Sequence, residues 1–357
     1  MEKIKEIVDS SRIASPIISV VITAFKRRSF LLDAIESTVN QTIESDKFEV
    51  LVIKDFTDVR IDNRIMELGY RSFLYGGRVG EQLAIGIQNA IGKIISFLQD
   101  DDLFEPNKLQ EIYNVFKRNE HLIYFKNNYS VINSDGYFGT NFSHSKTNSD
   151  FLITESIKRE NYAITLMLKE KYDFNLSCMS IKKEVVLYFL NSLKMILTAD
   201  DSFMFFISLM ANGDLQYSKC KLNRYRVHDN GSTVRTGSIE TMQRKNTLEF
   251  FNQIKTFEIL QSISNNLNIY EALFEGIIIR KASIRIVQYD QLGQKISIKE
   301  ILKLLTNHRT ITNVFFAKLI FANILITISE SFGRKIYYWY TKTIYNDTIL
   351  KRKGLEK

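Results

Sequence analysis

Short apolar runs alternate with helix-like stretches over the first part of the chain. The runs Ile17–Thr23, Phe48–Ile53 and Ile94–Leu98 are continuous and rich in β-branched residues, which is typical of strands buried on both faces of a sheet. Between the first two, "LLDAIESTV" has apolar residues at helical spacing and follows Ser29, a residue type that favours helix N-caps. This alternation predicts an α/β fold with a mostly parallel central sheet flanked by helices.

The pattern changes further along the chain. Residues 149–172 show no clear period, which predicts a loop-and-helix insertion. Strands are then predicted at "NLSCMSI" and "LQYSKCKLNRYRV", and helices at "KKEVVLYFLNSL" and at Asp200–Gly213. After about Gly237 the pattern is helical throughout. We therefore predict a first domain over residues 1–235 and an α-helical region over residues 236–357.

The distribution of charge follows the same division. Residues 1–234 hold 29 Lys+Arg and 30 Asp+Glu, a net charge of −1, whereas residues 235–357 hold 19 and 10, a net charge of +9. A basic half favours an acidic partner such as anionic lipid or nucleic acid. The two cysteines, Cys178 and Cys220, form no CxxC pair, and the N-terminus lacks the apolar core of a secretory signal. We therefore expect a cytoplasmic protein.

Three aspartates directly follow the apolar run Ile94–Leu98 and Gln99. In open α/β sheets, ligands bind at the carboxyl ends of the strands, where Asp100, Asp101 and Asp102 are predicted to lie. Adjacent carboxylates repel unless a cation neutralises them, and Mg²⁺ or Mn²⁺ would do so and would bridge to substrate phosphates. The alternative is a solvated acidic turn that caps the helix beginning near Pro106.

Two further groups carry candidate chemistry. Asp200 and Asp201 begin an apolar helix, where the helix dipole stabilises carboxylates; one of them could also act as a general base. Arg226 and His228 lie in "RYRVHDNGS" and could contact a diphosphate or a metal, although a surface turn explains them equally well. Lys26, Arg27 and Arg28 are either surface charges or phosphate contacts.

Taken in order, these motifs resemble family-2 glycosyltransferases with the GT-A fold. The resemblance covers about residues 15–235. It rests on "SPIISVVITAFKRRSFLLDAIESTVNQT", "FEVLVIKDFTD", "GIQNAIGKIISFLQDDDLFEPNKL", "DDSFMFFISLMANG" and "YRVHDNGS". It implies a GT-A nucleotide-sugar-binding and catalytic domain that transfers a sugar from a nucleoside-diphosphate sugar to an acceptor hydroxyl, with a divalent metal and with inversion.

The resemblance also implies roles for individual residues. Thr23, Ala24, Phe25 and Arg27 would frame the nucleotide, and Asp55 would hydrogen-bond its base, uracil or guanine. Asp100 would touch the ribose or diphosphate side, while Asp101, Asp102 and His228 are the candidate metal ligands; Asp102 could instead hold the loop or bind the acceptor. Arg226 would face the diphosphate or the metal. Asp201 would be the general base, supported by Asp200.

The sequence departs from the family pattern at three positions. Gln99 stands where many members have an acid, which leaves the metal-binding position within Gln99–Asp102 uncertain by one residue. Lys54 replaces a common second aspartate, and Ala84 replaces an asparagine. These departures affect the identity of the donor more than the type of chemistry.

The basic helical half contains a long apolar run, Ile311–Phe332, followed by "GRKIYYWYTKTIY". Three interpretations remain: packing on the core, a peripheral membrane surface over residues 311–345 at the inner face of the cell membrane, or a bilayer span, against which Lys318 and Glu330 argue. A membrane surface would suit a lipid-linked saccharide acceptor.

Two alternative functions stay open. One is a catalytically inactive GT-A-like protein that binds membrane or nucleic acid through its basic half, although aromatics interleaved with basic residues occur only near Tyr337–Lys342 and membrane explains them equally well, so we expect no nucleic-acid partner. The other is a nucleotidyltransferase, for which "TAFKRRSF" lacks the expected glycines.

Overall fold

The computed structural model describes residues 5–7, 16–138, 149–154, 172–228 and 239–287, together with scattered positions between 297 and 342. The chain divides into two compact units. The first comprises Met1–Phe138 and Phe142–Arg226, and the second comprises Gly139–Asn141 and Val227–Lys357.

The first unit alternates strands and helices in chain order. Its elements are β1 (Lys5–Ile7), β2 (Ile18–Ala24), α1 (Leu31–Val39), β3 (Phe48–Lys54), α2 (Val59–Glu67), β4 (Arg71–Leu74), α3 (Val79–Asn89), β5 (Ile94–Gln99), β6 (Leu103–Phe104), α4 (Lys108–Arg118), β7 (Leu122–Ile132), β8 (Phe151–Ile153), β9 (Met179–Lys182), α5 (Lys183–Tyr188), α6 (Leu190–Leu193), α7 (Asp200–Met210) and β10 (Asp214–Arg226). A short 3₁₀ turn, Leu176–Cys178, precedes β9.

These strands form one mixed sheet in the order β1-β4-β3-β2-β5-β9-β7-β10-β6, with β8 also paired to β10. Strands β4, β3, β2 and β5 are mutually parallel, and β7 is parallel to β10. Strand β9 is antiparallel to both β5 and β7, so β7 and β10 run in the same direction as β5. The predicted α/β architecture with a mostly parallel central sheet is therefore confirmed.

Burial explains why the predicted strands form. Val20, Ile22, Val50 and Val52 are at most 1% exposed and belong to one apolar cluster with Ala34 and Ile35 of α1 and Ile61 and Ile65 of α2. Side chains on both faces of β2 and β3 are covered, as a continuous apolar run requires. At Gly86 of α3 an added Cβ would lie 2.5 Å from a methyl group of Val21, so the glycine lets this helix approach the sheet closely.

Two parts of the prediction need correction or lie outside the structure. Strand β7, which has 11 residues, was not predicted from the sequence. It pairs with β9 on the side opposite β5. The predicted insertion at residues 149–172 begins with β8, which pairs with β10, and its residues 155–171 lie outside the described part of the chain.

The second unit contains two long helices, α8 (Ile239–Ile263) and α9 (Leu267–Val287). They pack through buried apolar side chains: Ile254, Phe257 and Leu260 from α8 with Leu273, Ile277 and Ile278 from α9. A Cβ at Gly276 would lie 2.6 Å from the ring of Phe257, so this glycine permits the close approach of the two helices.

The apolar run Ile311–Phe332 and the aromatic segment after it lie outside the described residues, apart from isolated positions. Among the residues that the structure describes, no helix is long and apolar enough to cross a membrane. Core packing and a membrane surface both remain predictions for residues 311–345.

Candidate active site

The candidate residues gather at the carboxyl ends of the parallel strands, here called the carboxyl edge. Thr23 and Ala24 end β2, and Phe25, which is half exposed, follows them. Lys26 then adopts a left-handed conformation (φ 57°), and its N–H donates to Oδ1 of Asp55, the residue after β3, at 2.7 Å. Left-handed backbone in a non-glycine residue is strained and concentrates at functional sites.

Arg27 connects this loop to the end of β5. Its guanidinium donates to both carboxylate oxygens of Asp100, through Nη2 at 2.5 Å and through Nε at 3.2 Å. Its Nη1 also donates to Oδ2 of Asp101 at 2.5 Å. The Asp100 and Asp101 side chains are 3% and 14% exposed. Arg27 thus sits where two carboxylates converge, and its charge offsets their repulsion.

Asp102 faces away from Arg27. Its carboxylate is fully buried, and Oδ1 accepts the backbone N–H of Arg226 at 3.1 Å. The Arg226 guanidinium donates to the carbonyls of Asp101 (3.0 Å) and Ser134 (2.7 Å) and to Oδ2 of Asp33 (3.0 Å). Asp102 and Arg226 therefore join the turn after β5 to the end of β10.

The pKa values of two strand-end aspartates, Asp100 and Asp102, are strongly raised. Burial and the adjacent Asp101 carboxylate raise the pKa of Asp100, and Arg27 opposes this rise. Burial, followed by Asp101, also raises the pKa of Asp102, to about 7. This pattern of buried, closely spaced carboxylates is typical of functional sites.

The geometry of these aspartates suits a divalent ion in part. Mg²⁺ in such sites takes one or two carboxylates together with substrate phosphates, and Asp100 and Asp101 already converge on one cationic group. Asp102 uses only Oδ1 to accept the Arg226 N–H, while its buried Oδ2 has no hydrogen-bond partner, so its role as a metal ligand stays a prediction. Among the described residues, no group of three or more His, Cys, Asp or Glu side chains is placed to hold a metal.

The second acidic pair, Asp200–Asp201, starts α7. This helix ends three residues before β10, whose Asp214 is opposite Leu122, the first residue of β7. The first turn of α7 lies near the carboxyl edge, because Asp201 bonds Asn175 and the nearby Ser177 bonds Gln99, the last residue of β5. Asp201 accepts two backbone N–H groups, from Asn175 at 3.1 Å and from Ser202 at 2.8 Å.

Asp201 sits between two more left-handed residues. Ala199, directly before α7, has φ 57°, and Asn175 has φ 67°. Burial is the main cause that raises the pKa of Asp201, to about 8, with further contributions from Asp200 and Asp173. A carboxylate with a raised pKa and fixed orientation is suited to accept a proton near neutral pH.

The remaining predicted residues are also located. Lys54, the departure in the acidic turn, is buried, donates to the Phe56 carbonyl at 2.8 Å and pairs with Asp62 at 2.7 Å. His228 is buried in the second unit, two residues beyond β10, and its role as a metal ligand stays a prediction. The structure thus brings Arg27, Asp100 and Asp101 into direct contact.

Several buried polar residues near the site were not predicted from the sequence. Lys108 is fully buried and donates to Oδ1 of Asn127 (2.6 Å), Oδ1 of Asn223 (2.7 Å) and the Ser177 carbonyl (2.9 Å). A lysine next to an apolar position of an amphipathic helix usually lies on the solvated face, so the sequence did not predict that Lys108 is buried. The nearby Pro106 indicated only that a helix begins here. Asn175 and Ser177 carry no sequence signal that we recognise.

A cavity of about 1070 Å³ lies at the opposite, amino edge of the sheet. It is lined by Ile17, Ile94 and Lys182, among others, and by none of the candidate site residues. Its size does not make it the active site, because the perturbed carboxylates are at the carboxyl edge.

Residues 19–186 match the model of Glycosyl transferase family 2. An uncharacterized glycosyltransferase of Rickettsia prowazekii (strain Madrid E) is 29% identical over 109 residues, 30% of this chain and 34% of that protein. One from Haemophilus influenzae (strain ATCC 51907 / DSM 11121 / KW20 / Rd) is 27% identical over 192 residues, 48% of this chain and 76% of the relative. The chain spans about a third or less of the first relatives that it matches, 34% and 18% of their lengths.

Among solved structures, S. aureus TarS 1–349 in complex with UDP-GlcNAc has a TM-score of 0.49 at 15% identity. The match covers 78% of this chain and 88% of TarS 1–349.

Proposed function

Since residues 19–186 match the model of Glycosyl transferase family 2, we propose that the protein transfers a sugar from a nucleoside-diphosphate sugar to an acceptor hydroxyl. The observation that carries this proposal is that two acidic clusters lie at the same edge of the sheet, the carboxyl edge. The strand-end aspartates Asp100 and Asp101 pair with the Arg27 guanidinium. Asp201 instead accepts two backbone N–H groups at the start of a helix.

Asp100 and Asp101 would hold Mg²⁺ or Mn²⁺, which would stabilise the negative charge that develops on the departing diphosphate. When the metal and the donor bind together, Arg27 would turn from the carboxylates to the diphosphate, for which its planar fork is well matched. Asp102 and Arg226 would keep the turn that carries Asp101 in place through the contacts described above. His228 remains a candidate for the diphosphate side.

Asp201 would accept the proton from the attacking hydroxyl. The two backbone N–H groups fix the orientation of its carboxylate, and its raised pKa strengthens it as a base. Asp200 adds to this rise through its neighbouring charge. A base opposite the leaving group fits a single displacement, so we expect inversion at the anomeric carbon.

The donor and acceptor are proposed by class alone. Asp55 would hydrogen-bond the nucleotide base of a UDP- or GDP-sugar, with Thr23, Ala24 and Phe25 lining the nucleotide. The acceptor would be a glycan or a lipid-linked saccharide in polysaccharide or glycan biosynthesis, reached from the cytoplasm and the inner face of the membrane. A catalytically inactive binding protein would have the same fold but would not need Asp201 as a general base.

Calorimetric titration with UDP and GDP, each with Mn²⁺ and with EDTA, tests the donor site. We expect one nucleotide to bind only with Mn²⁺, and Asp101→Ala to abolish that binding. Asp135→Ala is the matched control, because Asp135 is an exposed acid in the turn after β7.

If neither UDP nor GDP bound under any of these conditions, the metal–nucleotide site would be refuted. Binding without any transfer of sugar to a saccharide acceptor or to water would instead favour the inactive binding protein.

A further inference from the structure

The segment Asn175–Cys178 contacts both acidic clusters, and we infer that Ser177 and Lys108 are positioning residues that set the candidate base against the strand-end aspartates. This inference rests on the proposed function, since it concerns how that site is held. A continuous series of hydrogen bonds connects the end of β5, the turn Leu176–Cys178, strands β7 and β10, and Asp201.

The first contact is with the metal side of the site. The Ser177 hydroxyl accepts the backbone N–H of Gln99 at 3.0 Å, and Gln99 is the last residue of β5, directly before Asp100. Ser177 is fully buried. Loss of this hydroxyl would leave the Gln99 N–H without its acceptor at the point where the chain turns into the aspartates.

The second contact is with the base side. The backbone N–H of Asn175 donates to Oδ2 of Asp201 at 3.1 Å. Asn175 is left-handed, and its side-chain Oδ1 accepts the Ser177 N–H at 2.8 Å, which closes the turn Leu176–Cys178. The orientation of the Asn175 N–H therefore depends on the position of Ser177.

Lys108 anchors this turn from inside the sheet. Its ammonium group has three donors and three acceptors at 2.9 Å or less, on β7, on β10 and at the Ser177 carbonyl. All three acceptors are neutral oxygens. Burying an ammonium group without a carboxylate in contact is costly, and burial lowers the pKa of Lys108 to about 7. Because burying this ammonium group costs folding free energy, we attribute its presence to the precise placement of the turn Leu176–Cys178 and not to stabilisation of the fold.

The test compares two buried serines that are three residues apart, Ser177 in the turn and Ser180 in β9. Ser177→Ala removes the contact to Gln99, whereas Ser180→Ala removes a buried hydroxyl of β9 that donates to Ser96 at 3.3 Å, away from both clusters. Each variant removes one buried hydroxyl, so a purely structural role predicts effects of the same kind in both.

We expect Ser177→Ala to increase amide hydrogen exchange at Asn175 about tenfold, and to lower the turnover of nucleotide sugar about tenfold, as for a lost oriented contact. Ser180→Ala should change neither. Lys108→Met, which keeps the chain length but removes the charge, should have the same effects to a larger extent.

Unchanged exchange at Asn175 in Ser177→Ala, or equal changes in both serine variants, would overturn the inference. The exchange measurement needs no activity. If the wild-type protein turned over no nucleotide sugar, the proposed function would fail while the positioning inference was still decided.

Discussion

The two acidic clusters at the carboxyl edge differ in the groups that hold them. Asp100 and Asp101 share one guanidinium, which contacts three of their four carboxylate oxygens. Asp201 instead receives two backbone N–H groups. Burial raises the pKa of both Asp100 and Asp201, but an arginine in direct contact opposes the rise only at Asp100.

We propose that this difference gives each cluster a separate task. Carboxylates that already pair with a cationic side chain are suited to exchange it for a metal ion and a diphosphate. A carboxylate held by backbone groups cannot reorganise easily, and its raised pKa favours proton uptake. Two environments thus give the same residue type two roles, and the following changes test that division.

Asp201→Asn should have the largest effect. An amide keeps the shape and can still accept the Asn175 and Ser202 N–H groups, but it cannot take the proton of the acceptor. We expect the rate of sugar transfer to fall by about 10² to 10⁴-fold, measured as nucleoside diphosphate released in the presence of acceptor. Asp135→Asn serves as the control and should transfer at the wild-type rate.

Arg27→Gln should change the affinity for metal. Without nucleotide, Arg27 competes for Asp100 and Asp101, so its removal should tighten Mn²⁺ binding by about tenfold, equivalent to about 1.4 kcal/mol. Mn²⁺ titration followed by electron paramagnetic resonance measures this directly. Arg28→Gln removes the adjacent exposed arginine, whose guanidinium lies over the Phe56 ring, and should leave Mn²⁺ affinity unchanged. A weaker affinity in Arg27→Gln would contradict the competition.

Asp201→Asn should also stabilise the protein at alkaline pH. Because the folded-state pKa of Asp201 is raised to about 8, the folded protein binds this proton more tightly than the unfolded chain, so stability falls as pH rises from about 4 to about 8. The variant has no such penalty. Its free energy of unfolding at pH 8 should exceed that of the wild type by on the order of 1 kcal/mol, and the gain should disappear at pH 4. Urea denaturation at both pH values checks this, and an equal gain at both would exclude ionisation as the cause.

Ala199→Gly should have the smallest effect. Ala199 is left-handed, which costs an alanine about 1–2 kcal/mol, while glycine loses about 0.5–1 kcal/mol more backbone entropy on folding. We expect a net stabilisation of about 0.5 kcal/mol with unchanged transfer. Ala34→Gly, inside α1, is the opposite control and should destabilise by about 1 kcal/mol. Destabilisation of Ala199→Gly would show that its backbone is not strained.

The parts of the fold with continuous apolar runs were predictable from the sequence. Strands β2, β3 and β5 and helix α7 follow such runs, and the aspartates after β5 marked the site because charges at a buried strand end are unusual.

Strand β7 was missed because its sequence, "LIYFKNNYSVI", has three polar residues in its centre. Two of them are buried and make long-range contacts: Lys126 donates to the Phe174 carbonyl at 2.5 Å, and Asn127 accepts from Lys108. Polar residues whose partners are distant in sequence resemble loop residues until the fold is known. The same reason hid Lys108, Asn175 and Ser177.

The most direct test compares Asp101→Asn and Asp201→Asn in one assay of donor binding and nucleoside diphosphate release, with Mn²⁺ and the nucleotide sugar that the wild type binds. The division of roles predicts that Asp201→Asn binds the donor as the wild type does but releases the diphosphate at least about 100-fold more slowly, whereas Asp101→Asn loses donor binding. Equal loss of donor binding in both variants, or normal release in Asp201→Asn, would contradict it.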